Sequence, residues 1–113
     1  MAATNTSFAQ NDASSTSVAQ IAAGWDHTCV RSATGQVLCW GGNYVGQLGD
    51  GTQDSRPTPT PVVGLADAVE IRAGSAHTCA RRTTGEVVCW GDNQYGQLGD
   101  GTTDQRLTPT PVE

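Results

Sequence analysis

Aromatic side chains make up only 5% of the 113 residues, and hydrophobic residues of all kinds only 36%. No segment approaches the roughly 18 apolar residues that a membrane-spanning helix needs. Basic residues are scarce too, because six Lys and Arg stand against eleven Asp and Glu and leave a net charge of −5. Such a chain has no basic surface to neutralise phosphates or to dock on an anionic bilayer. We therefore expect no membrane insertion and no direct nucleic-acid binding.

The N-terminal region lacks the parts of an intact secretory signal. Met1 is followed by no Lys or Arg and by no apolar core, although Ser7-Phe8-Ala9 has the small-x-small pattern of a cleavage site and fits the remnant of a clipped signal. Residues 1–17 are otherwise rich in Ser, Thr, Ala and Asn, which predicts a flexible low-complexity tail. A strand donated to a neighbouring sheet, anchored by Phe8, is the alternative.

The chain does contain an internal repeat with a period of 50 residues. Residues 18–63 and 68–113 align without a gap, with 28 identical pairs among 46. A copy of about 50 residues rarely buries a sufficient core alone. We predict two repeat units, residues 18–67 and 68–113, the second without its last turn.

Alternating apolar residues predict short strands in each copy. In the first copy two runs flank Ala33-Thr34-Gly35, a loop in which Gly suits the left-handed region. The resulting hairpin sets Cys29 opposite Cys39. Opposed Cα atoms lie about 4.5 or 5.5 Å apart, within the range of about 4.4–6.8 Å that disulfides occupy. The sequence therefore predicts the two disulfides Cys29–Cys39 and Cys79–Cys89.

Four regularly spaced cysteines favour an oxidising compartment, so we expect an extracytoplasmic or secreted protein. Zinc binding is the alternative, because His27 or His77 shares a strand face with the cysteines of its repeat. One repeat supplies only three such ligands, so we expect no metal and no cofactor. His27 and His77 are then predicted to be structural, bonded to loop backbone.

The segment after each Trp-Gly contains closely spaced glycines and predicts a compact, irregular loop. Asp50-Gly51 and Asp100-Gly101 are interpreted as turns rather than cation sites, with Arg56 and Arg106 as salt-bridge partners. The alternating prolines of residues 57–61 predict a strand at a sheet edge, because proline cannot donate to a ladder.

Three motifs occur in both copies: Ala-Gly-x-x-His-Thr-Cys, then Gly-x-Val-x-Cys-Trp-Gly-x-Asn-x-x-Gly-Gln-Leu-Gly-Asp-Gly, then Pro-x-Pro-Val. They resemble the repeats of the regulator of chromosome condensation (RCC1) family, in its bacterial form with two cysteines per repeat. The resemblance implies an all-β chain of two four-stranded propeller blades, in a family whose full rings commonly have seven. Two blades cannot close a ring. The chain is then a fragment, a partial propeller or a protomer that completes a ring by association with further blades.

The resemblance leaves three functional hypotheses. The eukaryotic namesake promotes nucleotide exchange on a small GTPase and binds chromatin, whereas some bacterial relatives bind and inhibit other proteins. Because fold likeness does not transfer function and no residue set resembles a catalytic triad, we expect a non-enzymatic module that binds a protein or a surface ligand. A nucleotide-exchange regulator and a His/Cys metal-binding module are the alternatives.

Comparison of the two copies separates shared architecture from possible recognition. Trp40 and Trp90 are identical in both and are predicted to pack between blades. Trp25-Asp26 is aligned with Ser75-Ala76, and Tyr44-Val45 is aligned with Gln94-Tyr95, so these positions differ between the copies. Exposed Trp and Tyr often anchor protein interfaces. The candidate interface residues are therefore Trp25, Asp26, Tyr44 and Tyr95; the alternative is that they only cover the rim of a blade.

Overall fold

A computed structural model describes residues 17–113, a range made of β-strands and loops with no helix, and hence with no helix able to cross a membrane. The chain is all-β, as the sequence predicts. The prediction of a flexible tail over residues 1–17 lies outside the described residues except at Ser17. Among the described residues, eight strands form two antiparallel sheets of four. Blade 1 contains β1 Val18–Ala23, β2 His27–Ser32, β3 Val37–Gly41 and β4 Arg56–Pro61; blade 2 contains β5 Ala68–Ala73, β6 His77–Arg82, β7 Val87–Gly91 and β8 Arg106–Pro111.

The β2–β3 hairpin has the register that its loop predicts. Gly35 takes a φ of 101°, and its N–H donates to the carbonyl of Ser32 at 3.0 Å. Cys29 therefore lies opposite Cys39, and the hairpin of blade 2 repeats the arrangement. Both predicted disulfides are present, each with a Cα–Cα distance of 4.1 Å, slightly shorter than the expected range. Because the sulfurs of each pair are bonded to each other, the zinc alternative has no thiolate to use.

Two faces of each blade must be distinguished, since side chains alternate across a strand. The front face is the one that carries Thr28 and Trp40 in blade 1, and Thr78 and Trp90 in blade 2. The rear face carries the disulfide. The front of blade 2 packs on the rear of blade 1, and the main core lies between them: Ala22, Cys29, Val37, Cys39, Leu48, Val62 and Leu65 from blade 1 and its linker, with Ala68, Ile71, Ala80, Val88 and Trp90 from blade 2.

Trp90 is the largest fully buried side chain. Its Nε1 donates to the carbonyl of Gln47 at 2.9 Å, so the polar atom of the indole is satisfied inside the core. Gly49 lies directly against the ring, with a φ of 70°, and a Cβ there would come within 2.7 Å of Nε1. Glycine is therefore required at this position both for its backbone conformation and for the approach of the indole.

Trp40 differs from the expectation that both tryptophans pack between blades. It is only partly buried, and it packs with Val30 and Leu38 in a small separate cluster on the front of blade 1. The physical reason is directional, because each Trp packs on the loop of the blade before it. Among residues 17–113 no blade precedes blade 1.

This asymmetry predicts different costs for the same truncation. Trp90→Ala should lower the free energy of unfolding by about 3–5 kcal/mol, because it leaves a cavity in the main core. Trp40→Ala should cost clearly less in the monomer, because the ring is only partly buried and packs on a cluster of two residues outside the main core. Urea titration of both variants measures the difference, and equal losses would contradict the assignment of the core.

The disulfides predict a specific chemical state. Protein purified under oxidising conditions should lack the four thiol hydrogens of the reduced chain, with peptides that link residue 29 to 39 and residue 79 to 89. Replacing one pair by serines should cost roughly 2–3 kcal/mol in the chain-entropy picture. Intact-mass and peptide measurements test this, and four free thiols in the oxidised sample would refute it.

Candidate protein interface

The loops between β1 and β2 and between β3 and β4 emerge at the same end of blade 1, because consecutive strands alternate in direction. The equivalent loops of blade 2 lie at that end as well. The N–H of Trp25 donates to the carbonyl of Ser75 at 3.0 Å, and the N–H of Gly51 donates to the carbonyl of Leu107 at 3.0 Å. We call the surface formed by residues 24–26, 42–55, 74–76 and 92–105 the loop end.

Asn43 fixes the shape of the long loop in blade 1. It is fully buried, and its Nδ2 donates to the carbonyls of Thr52 and Asp54 at 2.9 and 3.0 Å. Its Oδ1 accepts the N–H of Leu48 at 3.0 Å. Asn93 makes the same bonds in blade 2. Neither asparagine was predicted as a functional or structural site from the sequence, although their identity in both copies was the signal that could have found them.

Asp50 closes the other half of the loop. Its Oδ2 accepts from Arg56 Nε at 2.8 Å, and its Oδ1 accepts from the hydroxyl and the N–H of Thr52 at 2.8 and 3.0 Å. Burial alone would raise the pKa of Asp50, but the bonds from Thr52 and Arg56 hold it below its ordinary value. In blade 2, hydrogen bonds from Arg106 and Thr102 likewise lower the pKa of Asp100.

The Asp-Gly segments are therefore structural turns with the expected arginine partners. Both carboxylates accept hydrogen bonds from the neighbouring Thr, Arg and Asn side chains. Within residues 17–113, no group of three His, Cys, Asp or Glu side chains is arranged to hold a metal ion.

Three of the candidate interface residues project aromatic rings from the loop end. The exposed fractions are 88% for Trp25, 56% for Tyr44 and 84% for Tyr95. Their backbones are held in place: the N–H of Trp25 is bonded as above, the carbonyl of Tyr44 accepts from Gln53 at 2.7 Å, and the N–H of Tyr95 donates to Gln97 at 2.9 Å. The rings therefore extend into solvent from backbone that is already ordered.

The fourth candidate, Asp26, has a more internal role. Its Oδ1 accepts from Gln47 Nε2 at 3.3 Å, and its carboxylate lies against Gly42, where a Cβ would collide with it. Its backbone carbonyl accepts the N–H of Gly42 at 2.7 Å. Asp26 thus supports the loop that carries Tyr44 while it remains partly exposed.

The loop end is strongly acidic. It contains no Lys or Arg, and the arginines that follow its two long loops are already paired, Arg56 with Asp50 and Arg106 with Asp100. Within the described range, the remaining carboxylates of this surface form no salt bridge. They are Asp26, Asp54, Asp92 and Asp104.

A polar chain crosses the interface between the blades. His27 Nε2 lies 2.9 Å from Thr78 Oγ1, and that hydroxyl donates to the carbonyl of Gln47 at 2.9 Å. Because the single hydroxyl proton is used on Gln47, His27 must donate from Nε2. Nδ1 is then a bare nitrogen, buried and without a hydrogen-bond partner in the described part of the chain. Burial lowers the pKa of His27; Asp26 opposes this effect and His77 adds to it.

His27 therefore departs from the expectation that it bonds loop backbone, because its partner is a side chain of the next blade. His77 occupies the equivalent place against Gly74 in blade 2. Gln20 was also missed: its amide accepts from the N–H of Ile71 at 2.9 Å and donates to the carbonyl of the same residue at 2.7 Å. No local pattern reveals such contacts, because their partners lie 51 residues away.

Comparison with known families gives two matches, each described as Regulator of chromosome condensation (RCC1) repeat. One covers residues 18–47 and 68–97, and the other covers residues 34–81 and 84–113. Both matches recur in the two copies, in agreement with the period of 50 residues. No part of the first 16 residues is included.

Several solved structures are similar in fold to most of this chain. Human WBSCR16 is similar over 85% of this chain, with 30% identity and a TM-score of 0.75. Prp20p from Saccharomyces cerevisiae, described with its binding properties to Gsp1p and histones, is 23% identical over 86% of this chain with a TM-score of 0.79. Yeast RCC1 (Prp20) bound to Kap60 is 27% identical over 85%, with a TM-score of 0.73. This chain spans only about a quarter of each of these proteins, 26%, 26% and 23%.

The environment of His27 predicts a pH-dependent stability. Its pKa is lowered in the folded state, whereas an unfolded histidine titrates near pH 6.5. The unfolded chain therefore binds the proton first, so stability is complete above about pH 6.5 and declines as the pH falls toward the folded pKa. Urea unfolding between about pH 5 and pH 7, above the range in which carboxylates titrate, measures the decline. His27→Gln should flatten it, and an unchanged slope in that variant would rule out His27 as its source.

Proposed function

Because the chain belongs to the family of regulator of chromosome condensation (RCC1) repeats, we propose that it is a non-enzymatic propeller module that binds a protein through its loop end. The observation that carries the proposal is the exposure of Trp25, Tyr44 and Tyr95 on ordered backbone. Aromatic residues of this kind dominate the energetics of many interfaces. Pre-ordered loops reduce the entropy that binding must overcome.

The charge of the surface favours one class of partner. Asp26, Asp54, Asp92 and Asp104 lie on the same loop end as the aromatic residues and form no salt bridge inside residues 17–113. Such a field attracts and orients a segment rich in Lys and Arg. Cations of that segment can also stack on the faces of exposed Trp and Tyr rings. The proposed partner is therefore a basic polypeptide segment, and the acidic chain repels nucleic acid.

Two further features support a non-catalytic role in an oxidising environment. The buried polar side chains near the loop end are occupied in holding backbone, as with Asn43 and Asn93, or in joining the blades, as with His27. Both cysteine pairs are oxidised, which is typical of extracytoplasmic proteins. We place the module outside the cytoplasm on that basis.

Likeness to Prp20p does not extend this proposal to nucleotide exchange. At 23% identity it carries the fold alone, and this chain corresponds to 26% of that protein.

A charged peptide provides a direct test of the loop end. A fluorescent oligolysine peptide should bind at low salt with an affinity that falls as salt rises. Trp25→Ala and Tyr95→Ala should each weaken binding several-fold, by about 1 kcal/mol or more. Their melting temperatures should stay within a few degrees of the wild type, because surface changes usually cost under about 0.5 kcal/mol. Fluorescence anisotropy and thermal melts measure the two effects.

The matched control separates a defined surface from general attraction to an acidic protein. Asp54→Asn and Glu86→Gln each remove one negative charge, but Glu86 lies beside Arg82 at the opposite end of blade 2. Asp54→Asn should weaken binding of the peptide, and Glu86→Gln should leave it unchanged. Equal effects of the two substitutions, or no effect of the aromatic variants, would refute the proposal.

A further inference from the structure

The interface inside the chain shows what each face of a blade contacts. The front of blade 2 packs on the rear of blade 1, so Ile71 and Val37 are fully buried. On the two outer faces, the equivalent residues are open to solvent: Ile21 is 66% exposed on the front of blade 1, and Val87 is 38% exposed on the rear of blade 2. We propose that the front of blade 1 docks on the rear of blade 2 of a second copy, so that copies of this chain associate head to tail.

The side-chain hydrogen bonds of the inner interface can be repeated between copies. Inside the chain, the carbonyl of Gln47 accepts from Thr78 Oγ1 and Trp90 Nε1, both at 2.9 Å. The outer front face presents the same two donors on Thr28 and Trp40. The loop of blade 2 presents the same acceptor on Gln97, in the same Gly-Gln-Leu-Gly sequence.

The backbone bonds can be repeated as well. Inside the chain, the N–H of Trp25 reaches the carbonyl of Ser75, and the N–H of Gly51 reaches the carbonyl of Leu107. Between copies, the N–H groups of Ser75 and Gly101 would reach the carbonyls of Trp25 and Pro57. The replacement of Leu107 by Pro57 is harmless here, because only the carbonyl is needed.

The two rear faces differ at two neighbouring positions, because Gln20 and Ala22 of blade 1 correspond to Glu70 and Arg72 of blade 2. The change at Glu70 is complementary to the second copy. In blade 1, the single amide of Gln20 serves both the N–H and the carbonyl of Ile71. Blade 2 has Glu70 at this position, bonded to Arg72 at 2.6 Å and to Arg81 at 3.2 Å. The carboxylate of Glu70 can accept a hydrogen bond from the N–H of Ile21 in the second copy. Arg72 or Arg81 can donate one to the carbonyl of the same Ile21. A cavity of about 150 Å³, bordered by this group with Cys79 and Val87, opens on the same face.

A contact of this kind joins two different surfaces. Each open chain of copies therefore keeps one free front face of blade 1 and one free rear face of blade 2. Two, three or four copies would contain four, six or eight blades, which is the range of known propellers. A second copy is the proposed occupant because each outer face keeps the donors and acceptors of its counterpart in the inner interface and most of its apolar residues, with Arg72 in place of Ala22 as the exception. The assembly engages the loop end only through backbone groups of Trp25, Ser75, Gln97 and Gly101.

Two substitutions on opposite faces test the direction of docking. Ile21→Arg places a cation on the outer front face, opposite the arginines of the rear face. Val87→Asp places a carboxylate on the outer rear face, where it lies across from Arg81 and is tolerated in the monomer. Light scattering after gel filtration, between about 1 and 100 µM protein, should give a multiple of 11.7 kDa for the wild type and 11.7 kDa for either variant.

An equimolar mixture of the two variants is the decisive sample. The Ile21→Arg chain keeps its rear face and the Val87→Asp chain keeps its front face, so the mixture should form a dimer of twice 11.7 kDa and stop there. Val63→Asp is the matched control, because it charges an aliphatic side chain that is 49% exposed outside both faces, and it should leave association unchanged. Thermal melts verify folding; if either variant unfolds, the surface changes Ile21→Thr and Glu70→Lys replace them.

Three results would each overturn the proposal. The first is a folded wild type that stays at 11.7 kDa throughout the concentration range. The second is continued association of either single variant. The third is a mixture that remains monomeric although each variant is folded.

Discussion

The packing of Trp90 into the loop of blade 1 is the contact on which the rest of the structure depends. The indole needs a flat approach, which Gly49 provides, and an acceptor for its N–H, which the carbonyl of Gln47 provides. That carbonyl also accepts a hydrogen bond from the hydroxyl of Thr78, and the hydroxyl in turn accepts one from His27 Nε2. One backbone oxygen therefore connects the apolar core between the blades with the polar contacts at its rim.

The same loop has a second task at the surface. Asn43 holds it in a single shape from within, so that its inner side fits Trp90 and its outer side presents Tyr44. Substitutions at the interface between blades should therefore also change the conformation of the loop end, because both regions share this short segment of backbone. Asp26 adds to this connection, since its carboxylate braces Gln47 from the exposed side.

Features that depend on nearby residues could be predicted from the sequence. The hairpin loop sets the pairing of residues ten positions apart, so the disulfides Cys29–Cys39 and Cys79–Cys89 followed from register. The alternating prolines likewise placed β4 at a sheet edge. In the candidate site, comparison of the two copies was enough to single out Trp25 and Tyr44 as positions outside the shared architecture.

Features that depend on the neighbouring blade could not be predicted in this way. Trp40 and Trp90 have nearly the same local sequence, and their burial differs only because a blade lies against one of them. The partners of His27 and Gln20 are 51 residues distant. The acidity of the loop end also requires knowledge of which loops meet, because its aspartates are scattered along the chain.

The proline pattern of β4 has a consequence for how the molecule meets its neighbours. The N–H of Val62, which directly follows β4, donates to the carbonyl of Val37 in β3. Even-numbered residues of β4 therefore point their backbone N–H and C=O groups toward β3, and odd-numbered residues point theirs away from the sheet. The outward positions are Pro57, Pro59 and Pro61, none of which has an N–H. This rim cannot be extended by another strand, and amyloid-like growth from it is blocked. The outermost strand of blade 1 thus resists edge-to-edge pairing while the faces and loops of the blade stay available for contact.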